Sequence, residues 1–304
     1  MKTIFGYLRE YFYVTDKKVL TIVSLLAGTL IFLNYHFLAD DHISKDYSFA
    51  ASFGTRYIIF LLAFGLPYFF YTVFKKRVYI RQVPFLILLF SAPAIFSLKM
   101  ALDIPIHFSD RSNWNNYWNH IFYWPVLLFI TGTLLFVYWR VFDREQPFYG
   151  LKTAGINWRP YLLMLLIMVP LVASASTQAD FLEVYPKLKS IESIYNEPGI
   201  TWWHKLLFEL SYGSDFVSIE LFFRGFLVLG FIKWAGKDAI LPMACFYCTI
   251  HFGKPLGECI SSYFGGILLG VVVYQTRSIL GGLVVHLGIA WMMEIGGYIG
   301  NAIN

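Results

Sequence analysis

Charged residues are scarce in this chain of 304 residues. Asp, Glu, Lys and Arg make up 14% of it, against roughly a quarter in ordinary soluble domains. Hydrophobic residues account for 58% and aromatic residues for 20%. A soluble globule has too little interior to bury so much apolar surface, so much of it must face lipid. The composition excludes a soluble globular domain, an intrinsically disordered chain and a collagen-like fibre.

Cysteine is scarce as well, and basic residues do not form one continuous stripe. The cysteines are Cys245, Cys248 and Cys259, an odd number, and all lie in or beside apolar segments. This excludes a small secreted fold held together by disulfides. Cys245 and Cys248 form a CxxC pair, but a redox or zinc site needs a thiolate at a polar, accessible helix start, so we interpret them as packing residues. The net charge of +5 comes from short clusters between apolar runs, which predicts no nucleic-acid partner.

Long apolar runs predict an all-α, polytopic transmembrane helical bundle with about eight or nine spans. A hydrocarbon core of roughly 30 Å requires about 20 apolar residues in a helix. Helices are expected because a backbone in lipid must satisfy its own hydrogen bonds. The predicted spans are residues 18–38, 57–74, 82–101, 119–141, 159–176, 214–234, 238–253, 256–276 and 278–300.

The basic clusters between these runs predict the orientation. Most lysines and arginines, including those of 75–81 and 140–159, fall in alternate loops together with those of the N-terminus. Because cytoplasmic loops carry an excess of Lys and Arg, the N-terminus is expected in the cytoplasm. We expect an integral, multi-pass membrane protein that contacts membrane lipid, in a bacterial inner (plasma) membrane.

Three regions differ in character. Residues 1–176 are predicted to be N-terminal transmembrane scaffold helices with few polar groups. Residues 177–213 are predicted to be an extramembrane connection, with an interfacial helix at 201–210 because its tryptophans, lysine and leucines suit the membrane surface. Residues 214–304 are predicted to be a tight transmembrane core, where GxxxG spacing at Gly266 and Gly270 allows close helix approach.

Two ionisable residues lie within the apolar run 214–234. A charge near the bilayer centre costs at least about 2.5 kcal/mol, so such residues are candidates for function. Glu220 and Arg224 are spaced i,i+4, which places carboxylate and guanidinium on one face of an α-helix. The alternative interpretation is a structural ion pair that holds two helices together.

Two histidines occupy the next candidate positions. His251 follows the apolar segment ACFYCTI, and His286 lies within ILGGLVVHLGIAW. Each alone is typical of a hydrogen-bonded packing histidine. Together with Glu220 and Arg224 they place an acid, a cation and two imidazoles on three helices, which could meet around a water-sized space.

Other charged residues near the predicted core are expected to have structural roles, at helix ends or in loops. Glu294 lies eight residues after His286 and could join the site, but we expect a solvated helix end near the outer interface. Lys254 and Glu258 are expected to be loop charges. Asp215 is predicted to belong to the N-terminal cap of the helix at 214–234.

The segment E-L-F-F-R-G-F-L (220–227), followed by a histidine at the next helix end and another in the last helix, resembles the CPBP family. This family contains type II CAAX prenyl proteases and bacteriocin-processing or immunity-related membrane proteins, and is also called Abi. The resemblance covers roughly residues 210–295. It implies an intramembrane endopeptidase of the glutamic type, sometimes described as a metalloprotease, that acts on a protein or peptide substrate.

The family motifs are Glu-Glu-x-x-x-Arg, Phe-x-x-x-His and His-x-x-x-Asn or Asp. By resemblance, the catalytic residues are Glu220, Arg224, His251 and His286. The sequence departs from the motifs at Ile219, where the family has its first glutamate, at Tyr247, where it has phenylalanine, and at Ala290, where it has asparagine.

The expected reaction is hydrolysis of a peptide bond, with Glu220 as general base on a water and the two histidines as donors to the oxyanion. No cofactor is required in this interpretation. A zinc version would use Glu220, His251 and His286 as ligands, although Arg224 beside the carboxylate disfavours a cation. The alternatives are a non-catalytic protein of the same fold, acting as an interaction, immunity or maturation factor, and a transporter, which the absence of symmetric halves disfavours.

Overall fold

The computed structural model describes residues 4–37, 48–153 and 156–303 of the chain. The fold is all-α: 83% of it is helical, and the described residues contain no strand. This confirms the predicted fold class. The α-helices are α1 (Ile4–Val14), α2 (Lys17–Phe37), α3 (Phe49–Lys75), α4 (Val83–Ala101), α5 (Ser112–Phe142), α6 (Arg159–Ala175), α7 (Ala179–Val184), α8 (Trp202–Glu220), α9 (Ile232–Ala235), α10 (Ile240–Thr249), α11 (Leu256–Thr276) and α12 (Leu280–Ile303).

Helices of other types connect these elements. A π-helix, Leu221–Gly230, directly follows α8. Short 3₁₀ helices lie at Tyr79–Arg81, Phe148–Gly150, Lys187–Asn196 and Gly236–Ala239.

Within the described ranges, α2, α3, α4, α5, α11 and α12 are long and apolar enough to cross a membrane. The protein is therefore an integral, multi-pass membrane protein. The spans at 18–38, 82–101 and 256–276 are matched within about two residues at each end. The total of eight or nine spans stays a prediction.

At two of the predicted spans, the helix in the structure differs from the helix that the sequence predicted. The segment predicted at 238–253 contains α10, which has 10 residues and so rises only about 15 Å, half of a roughly 30 Å core. Every residue of α10 is buried in the protein, and an apolar run alone cannot distinguish such a helix from one that faces lipid. The helix predicted to begin at 214 begins at Trp202, and residues 201–210 lead into and form the first half of α8 rather than a separate helix.

The chain divides into two compact units. The first comprises the described parts of 1–102, 134–156 and 221–280. In it, α10 packs against α11, α3 and α2. A Cβ atom on Gly266 would lie 3.2 Å from the Ala244 backbone, so the glycine of α11 permits the predicted close helix approach. Aromatic rings fill the core, among them Phe60, Phe64, Phe85, Phe96, Phe222, Phe223, Phe231 and Phe246.

The second unit comprises residues 103–133, 157–220 and 281–304, of which 304 lies outside the described ranges. Its core is an apolar cluster contributed by α5, α8, α12 and the 3₁₀ helix at 187–196. The Ser211 hydroxyl donates to the Ile121 carbonyl at 2.5 Å, and the Tyr117 hydroxyl donates to the His204 carbonyl at 3.0 Å. These bonds hold α8 against α5, and they set the position of the residue that ends α8. The buried cluster consists of Tyr117, Ile121, Ile191, Ile194, Phe208, Tyr212, Phe216 and Ala290.

Candidate active site

A buried carboxylate and an imidazole meet inside the second unit. Glu220, the last residue of α8, has a side chain with 0% exposure. Its Oε1 lies 3.0 Å from Nδ1 of His286 on α12. A carboxylate oxygen only accepts, so Nδ1–H is the donor, and Nε2 of the neutral ring is then the basic nitrogen. Two residues that lie 66 positions apart in the sequence thus form one acid–imidazole pair.

Packing holds the imidazole in place. The ring of Phe216, one turn before Glu220 on α8, meets His286 edge to face with centroids 4.8 Å apart. Phe216 belongs to the buried apolar cluster, which restricts the rotamers open to both rings. Sequence reasoning missed Phe216, although its i−4 spacing from Glu220 could have indicated it.

Ala290 lies in the same apolar cluster, at the position of the family's asparagine. It contributes a buried methyl group there. An amide able to donate to an oxyanion is therefore replaced by a packing contact at this position.

Arg224 lies in the first unit, within the π-helix, and is fully buried. Its guanidinium carbon stands 4.0 Å from the ring centroid of Tyr247 on α10. A desolvated cation over an aromatic face is attracted by the ring quadrupole. Tyr247 therefore keeps the ring face that a phenylalanine would offer at this motif position.

The π-helix changes the geometry assumed from the sequence. The shared face of Glu220 and Arg224 was predicted from α-helical i,i+4 spacing, but the backbone from Leu221 onward repeats as i→i+5. The α-helical register is therefore wrong for this segment, and the pairing of the two residues stays a prediction. Apolar periodicity carries no signal that separates a π-helix from an α-helix. Such helices are rare and frequent at functional sites.

The glycine after Arg224 is required by close packing. A Cβ atom on Gly225 would lie 2.8 Å from the backbone oxygen of Tyr149 and 2.9 Å from its Cβ. No larger residue fits without movement of the Tyr149 backbone. The Arg-Gly step thus lets the segment around Tyr149 pack directly on the π-helix.

His251 belongs to the turn after α10, two residues beyond the helix end. It was predicted to end that helix. Its half-buried ring has Nδ1 3.0 Å from the Tyr247 carbonyl oxygen, and a carbonyl only accepts, so Nδ1–H donates. The rings of Tyr247 and His251 also meet, with centroids 4.7 Å apart.

The four predicted site residues thus form two groups. One group is Glu220 with His286, and the other is Arg224 and His251, which both contact Tyr247. Their convergence on one water-sized space stays a prediction.

Glu294 differs from the expectation of a solvated helix end. It is buried, and its carboxylate accepts from the backbone N–H groups of Lys187 at 2.8 Å and Leu188 at 3.3 Å. A carboxylate at a helix N-terminus satisfies donors that the helix leaves open. Its role is to cap the 3₁₀ helix Lys187–Asn196.

Two smaller expectations are also corrected. Asp215 lies inside α8 rather than at a helix start, because that helix begins at Trp202. Glu258 lies in the first turn of α11, with its Oε1 3.9 Å from Nζ of Lys254. The sequence placed Glu258 together with Lys254 in a loop, since it did not show where α11 begins.

A catalytic zinc site needs three protein ligands close together. In the described part of the chain, no three His, Cys, Asp or Glu side chains are grouped so that they could hold a metal ion. The set predicted for zinc, Glu220, His251 and His286, is therefore not found as a cluster.

Comparison with known proteins finds a family model similar to the segment that contains this site. The family model described as type II CAAX prenyl endopeptidase Rce1-like matches residues 206–292. This segment is Rce1-like. The resemblance to the CPBP family is thereby confirmed over α8, the π-helix, α10, α11 and much of α12. The Rce1-like segment contains all four predicted site residues and supports a CPBP-type intramembrane protease family. No match was found among the curated proteins or among the solved structures.

Proposed function

We propose that this protein hydrolyses peptide bonds in or at the membrane, as a metal-free endopeptidase related to the CPBP family. The observation that carries the proposal is the hydrogen bond between the buried Glu220 carboxylate and Nδ1 of His286. A buried carboxylate is costly unless it is paired, so a lipid-embedded chain retains one chiefly where it is used. The substrate is a protein or peptide segment at the membrane.

The exposed fractions assign the roles. The side chain of Glu220 has 0% exposure and that of His286 has 14%, so in this proposal His286 is the member of the pair that an attacking water reaches. Glu220 fixes the ring orientation and stabilises the imidazolium, while Nε2 of His286 takes a proton from the attacking water. The same nitrogen then protonates the leaving amine. In this proposal Glu220 acts through His286 rather than directly on the water.

This division of roles suits a chain with Ile219 in place of the first glutamate. The family's motif has two adjacent carboxylates, and this sequence has one. An imidazole backed by the remaining carboxylate supplies a base without the missing group. His286 thereby takes over proton transfer.

Arg224 and His251 are proposed to stabilise the oxyanion of the tetrahedral intermediate. One such donor contributes about 10²–10³ in rate in a well-studied protease. Because Nδ1–H of His251 already donates to Tyr247, the ring can donate a second hydrogen bond only from a protonated Nε2. His251 would therefore act in its cationic form, and Arg224 would donate through its guanidinium.

The proposal is tested by cleavage of a panel of membrane-inserted peptides with purified protein. Glu220→Gln keeps the side-chain volume but removes the charge that stabilises the imidazolium, and we expect turnover to fall at least about 100-fold. Asp215→Asn removes a carboxylate from the same helix and is expected to keep its activity. Equal cleavage by wild type and Glu220→Gln would refute the role of the pair.

A non-catalytic membrane protein of the same fold is the second candidate, and Ala290 in the apolar cluster favours it. In that case the Glu220–His286 pair is structural. Absence of cleavage by wild type, together with a large loss of thermal stability in Glu220→Gln, would support this alternative.

Metal independence has a direct test. Because the described residues offer no three-ligand set, we propose that dialysis against a strong chelator leaves cleavage unchanged. A loss of activity that added zinc restores would contradict this proposal.

We also propose that the N-terminus is cytoplasmic and that the turn carrying His251 faces the extracytoplasmic side of a bacterial inner membrane. Gly257→Cys is suitable for labelling, since Gly257 is exposed and its added Cβ meets no atom within 4 Å. We expect a membrane-impermeant maleimide to label Gly257→Cys in intact cells but not Arg144→Cys, an exposed position in a predicted inner loop. The natural cysteines are buried and give a low background.

A further inference from the structure

Two buried thiols face each other across α10 and α11. Sγ of Cys248 lies 3.9 Å from Sγ of Cys259, and the two residues are 1% and 0% exposed. Each thiol also contacts the backbone carbonyl of the other, at 3.5 Å and 3.7 Å. The sequence suggested the pair Cys245 and Cys248, because they are close along the chain, but the tertiary structure selects Cys259 as the neighbour.

The pair closes the base of the turn that carries His251. Cys248 precedes the end of α10 by one residue, and Cys259 lies in the first turn of α11. His251 lies between them, in the turn that joins the two helices. A covalent bond between the sulfurs would therefore fix the segment that positions this imidazole.

A groove is lined in part by Ile260, the residue after Cys259. It lies between α2 and α11, has a volume of about 570 Å³, and is lined mainly by apolar and aromatic side chains. Tyr35, on α2, forms part of its wall. The Tyr35 hydroxyl also donates to the carbonyl of Lys254 in the same turn. A small uncharged oxidant fits in this groove, and it reaches the buried Cys259 only when the surrounding side chains move.

We propose that Cys248 and Cys259 are a redox pair whose oxidation to a disulfide clamps the turn of His251. The oxidant is a peroxide, ROOH. The thiol of Cys259 attacks the peroxide, giving a sulfenic acid and ROH, and the thiol of Cys248 then displaces water to form the disulfide. The net change is loss of both thiol hydrogens, with the peroxide reduced to ROH and water.

The required movement is small. A disulfide has an S–S distance of about 2.05 Å, so the sulfurs must approach by roughly 2 Å from their present separation. The predicted outward orientation places this turn on the side where disulfides form and persist. The effect on cleavage rests on the proposed function, whereas formation of the bond does not.

The test treats purified full-length protein in detergent with hydrogen peroxide or cumene hydroperoxide, followed by peptide mapping by mass spectrometry. We expect a Cys248–Cys259 cross-linked peptide lighter by two hydrogens, reversed by a thiol reductant. Cys245→Ser is the matched control and should cross-link like wild type, whereas Cys248→Ser and Cys259→Ser should not. Wild-type mapping needs no variant to fold.

Two further measurements test whether the disulfide restrains the turn that carries His251. Oxidised wild type should unfold at a higher temperature than the reduced protein, because the cross-link restricts the unfolded chain. Cleavage should fall at least about threefold and recover on reduction. Absence of the cross-link, a cross-link that instead uses Cys245, or a cross-link without change in thermal midpoint overturns the inference. Absence of cleavage in both states, with the cross-link and the thermal shift present, refutes the proposed function alone.

Discussion

The Nδ1 atom of His286 lies 3.0 Å from Oε1 of Glu220, which joins the last residue of α8 to α12. Of the two side chains, the imidazole is 14% exposed and the carboxylate is fully buried. If the pair is catalytic, the variants His286→Ala and Glu220→Gln should behave differently. A purely structural pair predicts the same behaviour for both.

His286→Ala should lose about 10²–10⁴ in turnover, the usual contribution of a general base. Because the removed group is an imidazole, added imidazole should restore part of the rate. The pH profile of the restored rate should be bell-shaped or rising. Glu220→Gln keeps the His286 ring and should not respond to imidazole. His107→Ala, in an exposed loop, serves as the control. Rescue of both variants to the same extent would show that the added base acts elsewhere.

Tyr247 contacts Arg224 through its ring face, so Tyr247→Phe should retain stability and cleavage. Tyr247→Leu removes the ring and should lower the free energy of unfolding by about 0.5–2 kcal/mol beyond the change in apolar area. Chemical denaturation in detergent measures both values. A loss in Tyr247→Phe as large as in Tyr247→Leu would show that the hydroxyl, rather than the ring, holds the arginine.

Gly225→Ala should destabilise the protein, since its Cβ would lie 2.8 Å from the Tyr149 backbone oxygen. Overpacking of this kind costs about 1–3 kcal/mol. Gly265→Ala is the matched control, because a Cβ there meets no atom within 4 Å and alanine favours the helix. Thermal midpoints of the two variants should move in opposite directions, and a neutral Gly225→Ala would contradict the close approach.

Glu209 should make stability depend on pH. It lies on α8 before the predicted span 214–234, and burial, aided by the nearby Glu294 carboxylate, raises the pKa of Glu209 from 4.5 to about 7. The folded protein then holds a proton that the unfolded chain releases. This contribution to stability is complete below pH 4.5 and is lost as the pH rises to about 7.

Glu209→Gln stays neutral at every pH and should flatten the change in thermal midpoint across that window. Glu192→Gln, an exposed carboxylate on the neighbouring 3₁₀ helix, should keep the wild-type slope. An unchanged slope in Glu209→Gln would assign the titration to another group.

Much of the fold could be predicted because the signals for membrane helices are local. The spans of α2, α4 and α11 follow from uninterrupted apolar runs, whose length alone must match the hydrocarbon core. Glu220 and His286 were predicted as site residues for a related reason: an ionisable group in an apolar run is expensive wherever its partner lies. Their identity could therefore be predicted without knowing their geometry.

What the sequence by itself determined is the all-α, multi-pass membrane fold, the resemblance to the CPBP family and the residues that carry charge into the apolar core. Only the tertiary structure decided that Glu294 caps a helix whose Lys187 lies 107 residues away, that Cys248 faces Cys259, and that the backbone after Glu220 is π-helical. The reason is physical. Hydrophobic burial depends on stretches of neighbouring residues, whereas a hydrogen bond or a sulfur contact depends on two atoms that only packing can bring within about 3–4 Å.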